Sequence, residues 1–177
     1  MASFSGEEIV AATGGVLLAG SRSAKFCRIC TDSRVARKGD LFIALQGEVY
    51  DGHQFVKDAL SLGVNGVVIE ESVSKKYLSI VRKLQQSQVE ATPLVVGVDD
   101  TTRAFQEIAA YHRRRFQIPV VAITGSNGKT TTKEMVANTL RERWNVLKTE
   151  GNFNNRLGVP HTSVSYTHLT LPTNREV

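Results

Sequence analysis

Ile123-Thr124-Gly125-Ser126-Asn127-Gly128-Lys129-Thr130-Thr131-Thr132 is the stretch whose reading decides the fold. It follows the apolar run from Pro119 to Ile123 and opens an amphipathic segment, so it reads as strand, glycine-rich turn and helix. That order cradles polyphosphate. Glycines at 125 and 128 let the backbone come close to an anion, and the N–H groups at the helix start point at it. Ser126, Asn127 and Thr131 complete the loop, Lys129 brings positive charge to the terminal phosphates, and the Thr130 hydroxyl is a candidate Mg2+ ligand. The spacing departs from a full Walker A motif, because Ile123 stands where that motif has its first glycine. The expected ligand is ATP or a compound like it.

The organisation around this loop is α/β. On its C-terminal side, Val136, Leu140 and Trp144 share one face of the expected helix, and Val146-Leu147 is the next expected strand. On its N-terminal side, a helix is expected from Thr101 to Phe116, capped by Asp99 or Asp100, after the strand Leu94 to Val98. Further back, Glu7 to Thr13 reads as a short helix closed by Gly14-Gly15, followed by the strand Val16-Leu17-Leu18 and a strand around Ile29. Leu41 to Leu45 is apolar throughout and has buried-strand length. Phe55, Val56, Ala59 and Leu62 then recur at helical spacing before the strand Val67-Val68-Ile69, which makes a βαβ unit. A weaker helix covers Val73 to about Leu84, with a polar loop to Thr92. A domain boundary is expected near residue 99, with residues 1–98 folding alone and residues 120–163 poorly stable in isolation.

Bulk properties narrow the function classes. The chain has 177 residues, 41% of them hydrophobic, which suffices for a buried core. No apolar stretch approaches the ~20 residues needed to cross a bilayer, and the N-terminus lacks signal-peptide character. A soluble, cytosolic monomer without membrane insertion is expected. The net charge of +5 is scattered apart from Arg113-Arg114-Arg115 at a helix end, where cations complement the helix dipole, so no nucleic-acid partner is expected. Cys27 and Cys30 form C-x-x-C without a second pair, on an expected strand whose alternation points the thiols to opposite faces; two reduced cysteines are expected.

Several motifs together carry a family resemblance. Thr31-Asp32-Ser33-Arg34, the run Gly39 to Gly47, and Asp51-Gly52-His53-Gln54-Phe55 precede the phosphate loop, which continues through Lys133-Glu134-Met135. These resemble the Mur ligases, ATP-dependent amide-forming enzymes of bacterial peptidoglycan synthesis. The segment Gly151-Asn152-Phe153-Asn154-Asn155-Arg156-Leu157-Gly158-Val159-Pro160 resembles the branch that joins D-alanyl-D-alanine to UDP-N-acetylmuramoyl-tripeptide. The neighbouring branch, which adds the third amino acid, typically has Asn-Thr-Thr-Pro there. The resemblance implies a small N-terminal α/β domain followed by the start of a P-loop-type parallel-sheet ATPase domain, with ATP and Mg2+ as cofactors and those two substrates as partners. It places Ser33, Arg34, Gln46, Gly47, Asp51, Gly52 and His53 on the uridine-diphosphate side. Asn152 falls with the substrate contacts, and Asn154 and Asn155 join Lys129 and Thr130 in the catalytic set.

Plainer readings stand beside these roles. Asp32 to Arg34 also fits a simple Asx turn, Asp51-Gly52-His53 a loop-and-cap device, and the asparagines a turn that uses their tolerance of positive φ. His161 reads as a surface or packing histidine. Residues 99–163 are expected to be only the beginning of the central domain, and 164–177 a non-native tail. On that expectation these residues alone would bind a nucleotide or a UDP-sugar peptide without catalysing the reaction. A small P-loop kinase is the third reading, and the residues after the loop supply no acidic or arginine lid for it.

Overall fold

The computed structural model describes residues 4–47, 50–86, 92–151 and 156–164. Its elements are β1 (Phe4–Ser5), α1 (Gly6–Thr13), β2 (Val16–Ala19), β3 (Lys25–Phe26), β4 (Arg28–Cys30), β5 (Asp40–Ile43), α2 (Val56–Ser61), β6 (Gly66–Glu70), α3 (Ser74–Gln86), β7 (Leu94–Val98), α4 (Thr101–Arg114), α5 (Lys129–Arg141) and α6 (Gly158–Val164). Five strands form one sheet in the order β2-β7-β6-β5-β4, parallel from β4 through β7, with β2 antiparallel at the edge. β1 and β3 form a separate antiparallel ladder that pairs Phe4 with Phe26.

A parallel strand inside such a sheet must be apolar on both faces, because helices cover both. The run beginning at Leu41 meets that demand, and side-chain alternation sorts it. Leu41 and Ile43 pack with Ile9, Phe105 and Ile108 under α1 and α4, while Phe42 and Ala44 pack with Val56, Ala59 and Tyr77 under α2 and α3. Three layers result, helix on sheet on helix. α1 starts with a reciprocal cap: Ser5 Oγ accepts from Glu8 N–H at 3.2 Å, and Glu8 Oε2 accepts from Ser5 N–H at 2.8 Å. α4 starts on Asp100, whose carboxylate accepts from Arg103 N–H at 2.9 Å.

Cys27 does not lie on a strand as expected: it sits at a bend between β3 and β4, and Phe26 and Ile29, three apart, share one core. Cys30 is buried, Cys27 is exposed, and both thiols are free. Burial pushes the Cys30 thiol up, which makes it a poor nucleophile.

One further expectation is corrected, and one boundary is proposed anew. Residues 119–123 and 146–147 are not strands: both run without ladder partners, and Val120 and Val121 are 60% and 62% exposed. Apolar composition reports a tendency to be buried, but a strand exists only where a neighbour takes its N–H and C=O groups. Among the described residues none does so here. Nor does α4 merely lead away from the first unit. Ala104, Phe105, Ile108, Ala109 and His112 are buried in the same core as the sheet, and α4 lies against α1, β6 and α6. We therefore propose that the first unit extends to Phe116. Val164, expected to open the tail, is buried in that core as well, while residues 165–177 lie outside the described residues.

His112 marks how tightly α4 is seated. Its ring lies 4.6 Å from that of Phe4 and 5.0 Å from that of Phe116. Neither ring nitrogen has a hydrogen-bond partner among the described residues. Burial first, then the Arg115 charge, lowers its pKa from 6.5 to about 4, against a smaller upward pull from Glu8. The unfolded ring therefore takes its proton well before the folded one. The stability contributed by the neutral ring is complete above pH 6.5 and is lost as the pH falls toward 4.

Two outcomes are expected. A fragment of residues 1–116 should survive limited proteolysis, whereas 1–98, stripped of α4, should be degraded. The melting temperature of the whole chain should fall by several degrees between pH 6.5 and 4, and His112→Leu should flatten that part of the profile, as read by circular dichroism.

Candidate functional site

Sheet topology brings the sequence motifs together. The Asp32–Arg34 turn follows β4 and the Gln46–His53 loop follows β5. β4 and β5 are adjacent and parallel, so both loops leave at the same carboxyl edge, where open α/β sheets bind ligands.

The first loop rests on an ion pair whose carboxylate is buried and whose guanidinium is partly exposed. Asp40 is 3% exposed, and its carboxylate accepts from Arg28 Nη2 at 2.6 Å, Arg28 Nε at 3.2 Å and Arg37 N–H at 2.9 Å. The same Arg28 Nη2 also donates to Val35 O at 2.7 Å, which fixes the top of the loop. Above it, Asp32 Oδ1 accepts from Arg34 N–H at 3.0 Å, and its carboxylate takes a two-pronged bond from the Arg34 guanidinium at 2.9 and 2.6 Å. The guanidinium hydrogen bond, with the backbone N–H, holds the Asp32 carboxyl at about 2. Ser33 opens the 3-10 turn Ser33–Val35, and Arg34 is widely exposed beside it. The Asx turn is therefore present, and the arginine it holds faces solvent.

The second loop is a short hairpin. Gln46 and Asp51 form a β-bridge, and Gly47 N–H donates to Tyr50 O at 2.9 Å. A Cβ on Gly52 would lie 2.6 Å from Leu45 O, so Gly52 serves a close backbone approach. His53 is buried with both ring nitrogens engaged. Nε2 accepts from Glu70 N–H at 3.0 Å, which puts the proton on Nδ1, where it meets Asp51 Oδ1 at 2.6 Å. Tyr77 Oη also donates to the His53 carbonyl. Burial would raise the Asp51 carboxyl, but hydrogen bonds from the His53 backbone and ring outweigh it and leave its pKa lowered. His53 thus ties this loop to the end of β6 and has no nitrogen left for a ligand; it is not carried forward as a contact.

The phosphate loop forms as its residues suggest. Gly128 caps α5 in the left-handed region with φ 76°, which a residue with a Cβ rarely adopts. Gly125 is also outside ordinary space with φ 148°. Thr132 N–H makes a turn-closing bond to Gly128 O at 2.8 Å, and the N–H groups of the first turn, at Lys129, Thr130 and Thr131, stand at the open helix end. Lys129 Nζ folds back on Gly125 O and reaches Ser126 O at 3.4 Å. Ser126, Asn127, Thr130 and Thr131 are exposed around it. This donor set fits polyphosphate. For Mg2+, the Thr130 hydroxyl is the protein ligand on offer, and no cluster of three His, Cys, Asp or Glu side chains occurs among the described residues. Asn152, Asn154 and Asn155 lie outside the described residues.

A cleft of about 300 Å3 lies between the edge of β4 and α6, lined by Arg28, Thr31, Asp32, Val35, His161 and Val164 among others. It joins the first loop to the segment downstream of the phosphate loop. Arg28, Asp40, Glu70 and Tyr77 escaped the sequence reading because their work is to hold loops. The signal available was an acidic residue at the mouth of an apolar run, Gly39-Asp40-Leu41.

Fold and loops together define an α/β protein with a parallel sheet and a glycine-rich phosphate-loop motif at the start of α5. Residues 25–113 match the model "Mur ligase family, catalytic domain", and residues 123–169 match "Mur ligase middle domain". The chain belongs to the Mur ligase family. It is 43% identical over 80% of its length to the UDP-N-acetylmuramoyl-tripeptide--D-alanyl-D-alanine ligase of Synechocystis, covering 28% of that protein. Among solved structures it is similar to MurF from Acinetobacter baumannii (TM-score 0.74, 34% identity, 92% of this chain and 33% of that one). It is also similar to the MurF ligase of Thermotoga maritima in complex with ADP (TM-score 0.62, 31% identity, 77% and 28%). The chain spans about a third of the length of these relatives. No helix among the described residues is long and apolar enough to cross a membrane.

Asp40→Ala should remove three accepted bonds, while Arg28 keeps Val35 O and water, at a cost of about 1–2 kcal/mol in chemical denaturation. Arg34→Ala, at an exposed position, should change stability by less than about 0.5 kcal/mol.

Proposed function

We propose that the chain is the UDP-substrate and phosphate-loop part of an ATP-dependent ligase that joins D-alanyl-D-alanine to UDP-N-acetylmuramoyl-tripeptide. The observation that carries this reading is the phosphate loop, Gly125 to Thr131 at the start of α5, on a chain that also holds the Asp32–Arg34 and Gln46–Asp51 loops at one sheet edge. The ADP held by the Thermotoga relative and the names of the other relatives support it.

The chemistry starts from a carboxylate, a poor electrophile until one oxygen becomes a leaving group. The γ-phosphoryl of ATP passes to the peptide carboxylate, giving an acyl phosphate and ADP. The D-alanyl-D-alanine amine then attacks the acyl carbon, loses a proton, and expels inorganic phosphate from the tetrahedral intermediate. Gly125 to Thr131 hold the phosphate chain through backbone N–H groups, and Lys129 leaves the Gly125 carbonyl to meet the γ-phosphate, where charge shifts during transfer. Mg2+, bound through Thr130, supplies further charge neutralisation. Arg34 with Ser33, Gln46 and Gly47 takes the uridine-diphosphate end, which requires the Asp32–Arg34 pair to open or turn. Asp51 and Gly52 shape that loop, and the family resemblance assigns Asn152, Asn154 and Asn155 to the muramyl-peptide end. ATP and the UDP-linked precursor place the reaction in the bacterial cytoplasm.

Lys129→Met should weaken ATP binding by the chain at least about tenfold in a fluorescence titration without changing its far-UV circular dichroism. Unchanged affinity would remove the loop from the site. With protein expressed from the complete reading frame, phosphate release should require ATP, UDP-N-acetylmuramoyl-tripeptide and D-alanyl-D-alanine together. Turnover of a UDP-linked dipeptide with a free diamino acid would instead identify the neighbouring ligase.

A further inference from the structure

The turn that carries Ser33 and Arg34 has little of its own to hold it. It is a 3-10 turn of three residues, Ser33–Val35, none of them buried. Its backbone bonds are long, Val35 N–H to Asp32 O at 3.2 Å and Ala36 N–H to Ser33 O at 3.3 Å. The Asp32 carboxylate caps its start through Arg34 N–H. With no buried side chain to anchor it, the turn takes its shape from groups that reach it from outside.

Two side chains of β4 do so, one at each end. Arg28 and Cys30 are two residues apart on the strand and so share one face of the sheet. The Cys30 Sγ–H donates to Asp32 O at 3.1 Å, at the start of the turn. Burial keeps that thiol protonated, as a donor must be. At the other end, Arg28 Nη2 donates to Val35 O at 2.7 Å. The same guanidinium is fixed by the buried Asp40 carboxylate, through Nε at 3.2 Å and Nη2 at 2.6 Å. A planar fork can hold a carboxylate and a carbonyl together in one geometry, whereas a lysine ammonium on its flexible stem is a single point charge. The carbonyls on either side of Ser33 and Arg34 are thus gripped by groups that stand on the sheet.

We propose that Arg28 and Cys30 are positioning residues for the UDP-linked substrate: by holding the Val35 and Asp32 carbonyls, they set the direction in which Ser33 and Arg34 leave the turn. They act through the turn rather than by contact with the ligand. This role rests on the ligase reading above, which gives the uridine-diphosphate end to Ser33 and Arg34. It makes affinity for that substrate depend on two side chains whose loss leaves the phosphate loop unaltered.

The test uses the whole chain carrying Arg28→Lys, Cys30→Ala or Cys30→Ser, with Ile108→Val as a control that loosens the core under α4. Calorimetry should give Arg28→Lys a UDP-N-acetylmuramoyl-tripeptide affinity about fivefold weaker than wild type, and Cys30→Ala one about threefold weaker. Their ATP affinities should stay within about twofold. Cys30→Ser should recover the loss, because a hydroxyl is the stronger donor. Ile108→Val should lower the melting temperature and leave both affinities unchanged. Without ligand, the Val35 and Ala36 amides should exchange faster in Arg28→Lys and Cys30→Ala, and at the wild-type rate in Cys30→Ser. Unchanged tripeptide affinity in Arg28→Lys and Cys30→Ala would overturn the proposal, as would an equal loss in Ile108→Val or a matching loss for ATP. If wild type does not bind the UDP-linked tripeptide, the assignment of this turn fails and the role with it; if wild type binds it, the variants judge the role alone. Should Arg28→Lys lose its far-UV circular dichroism, Cys30→Ala against Cys30→Ser decides.

Discussion

The burial of α4 across the sheet is the constraint on which the rest depends. Its apolar stripe, Ala104, Phe105, Ile108 and Ala109, closes a face that a parallel sheet cannot leave open. Its polar groups reach the other way. Arg113 donates to Phe116 O at 2.6 Å and Ile118 O at 2.8 Å, and Gln106 holds Arg156 O. One helix thus seals the sheet and anchors both ends of the stretch that carries the phosphate loop. α6, packed along α4, adds a second fastening. The two ligand-facing regions are related through this helix.

Each loop solves the problem of staying shaped while leaving ligand groups free. At the β4–β5 connection, the buried Asp40 gathers Arg28 and Arg37 N–H, so that Asp32 and Arg34 can stand in solvent. At the β5–α2 connection, His53 is spent on Glu70 and Asp51, so that Gln46 and Gly47 can remain exposed. In the phosphate loop, Lys129 satisfies carbonyls that would otherwise face only water. The engaged residues hold each loop, and the exposed neighbours are the groups that the proposed function uses as contacts.

Much of this was legible in the residues. The apolar run from Leu41, the glycine after α1 and the cap of α4 all follow from local chemistry, and the structure has them. What escaped depends on partners distant in sequence. The apolar stripe of α4 announces a buried face without naming what covers it, and the structure packs that face against the sheet behind it. The segments at 119–123 and 146–147 have strand composition, but pairing is a property of two segments. Asp51-Gly52-His53 looked like a ligand motif as much as a cap, and only the proximity of Glu70 shows that the His53 ring is already occupied.

The most direct test of this account is native-state hydrogen exchange along α4 in the intact chain. If α4 belongs to the sheet's core, amides from Ala104 to His112 will exchange with the slow, cooperative unit of β5, β6 and β7. If instead they exchange as rapidly as those of α5, the helix is not the joint described here, and the two units are held together by something else.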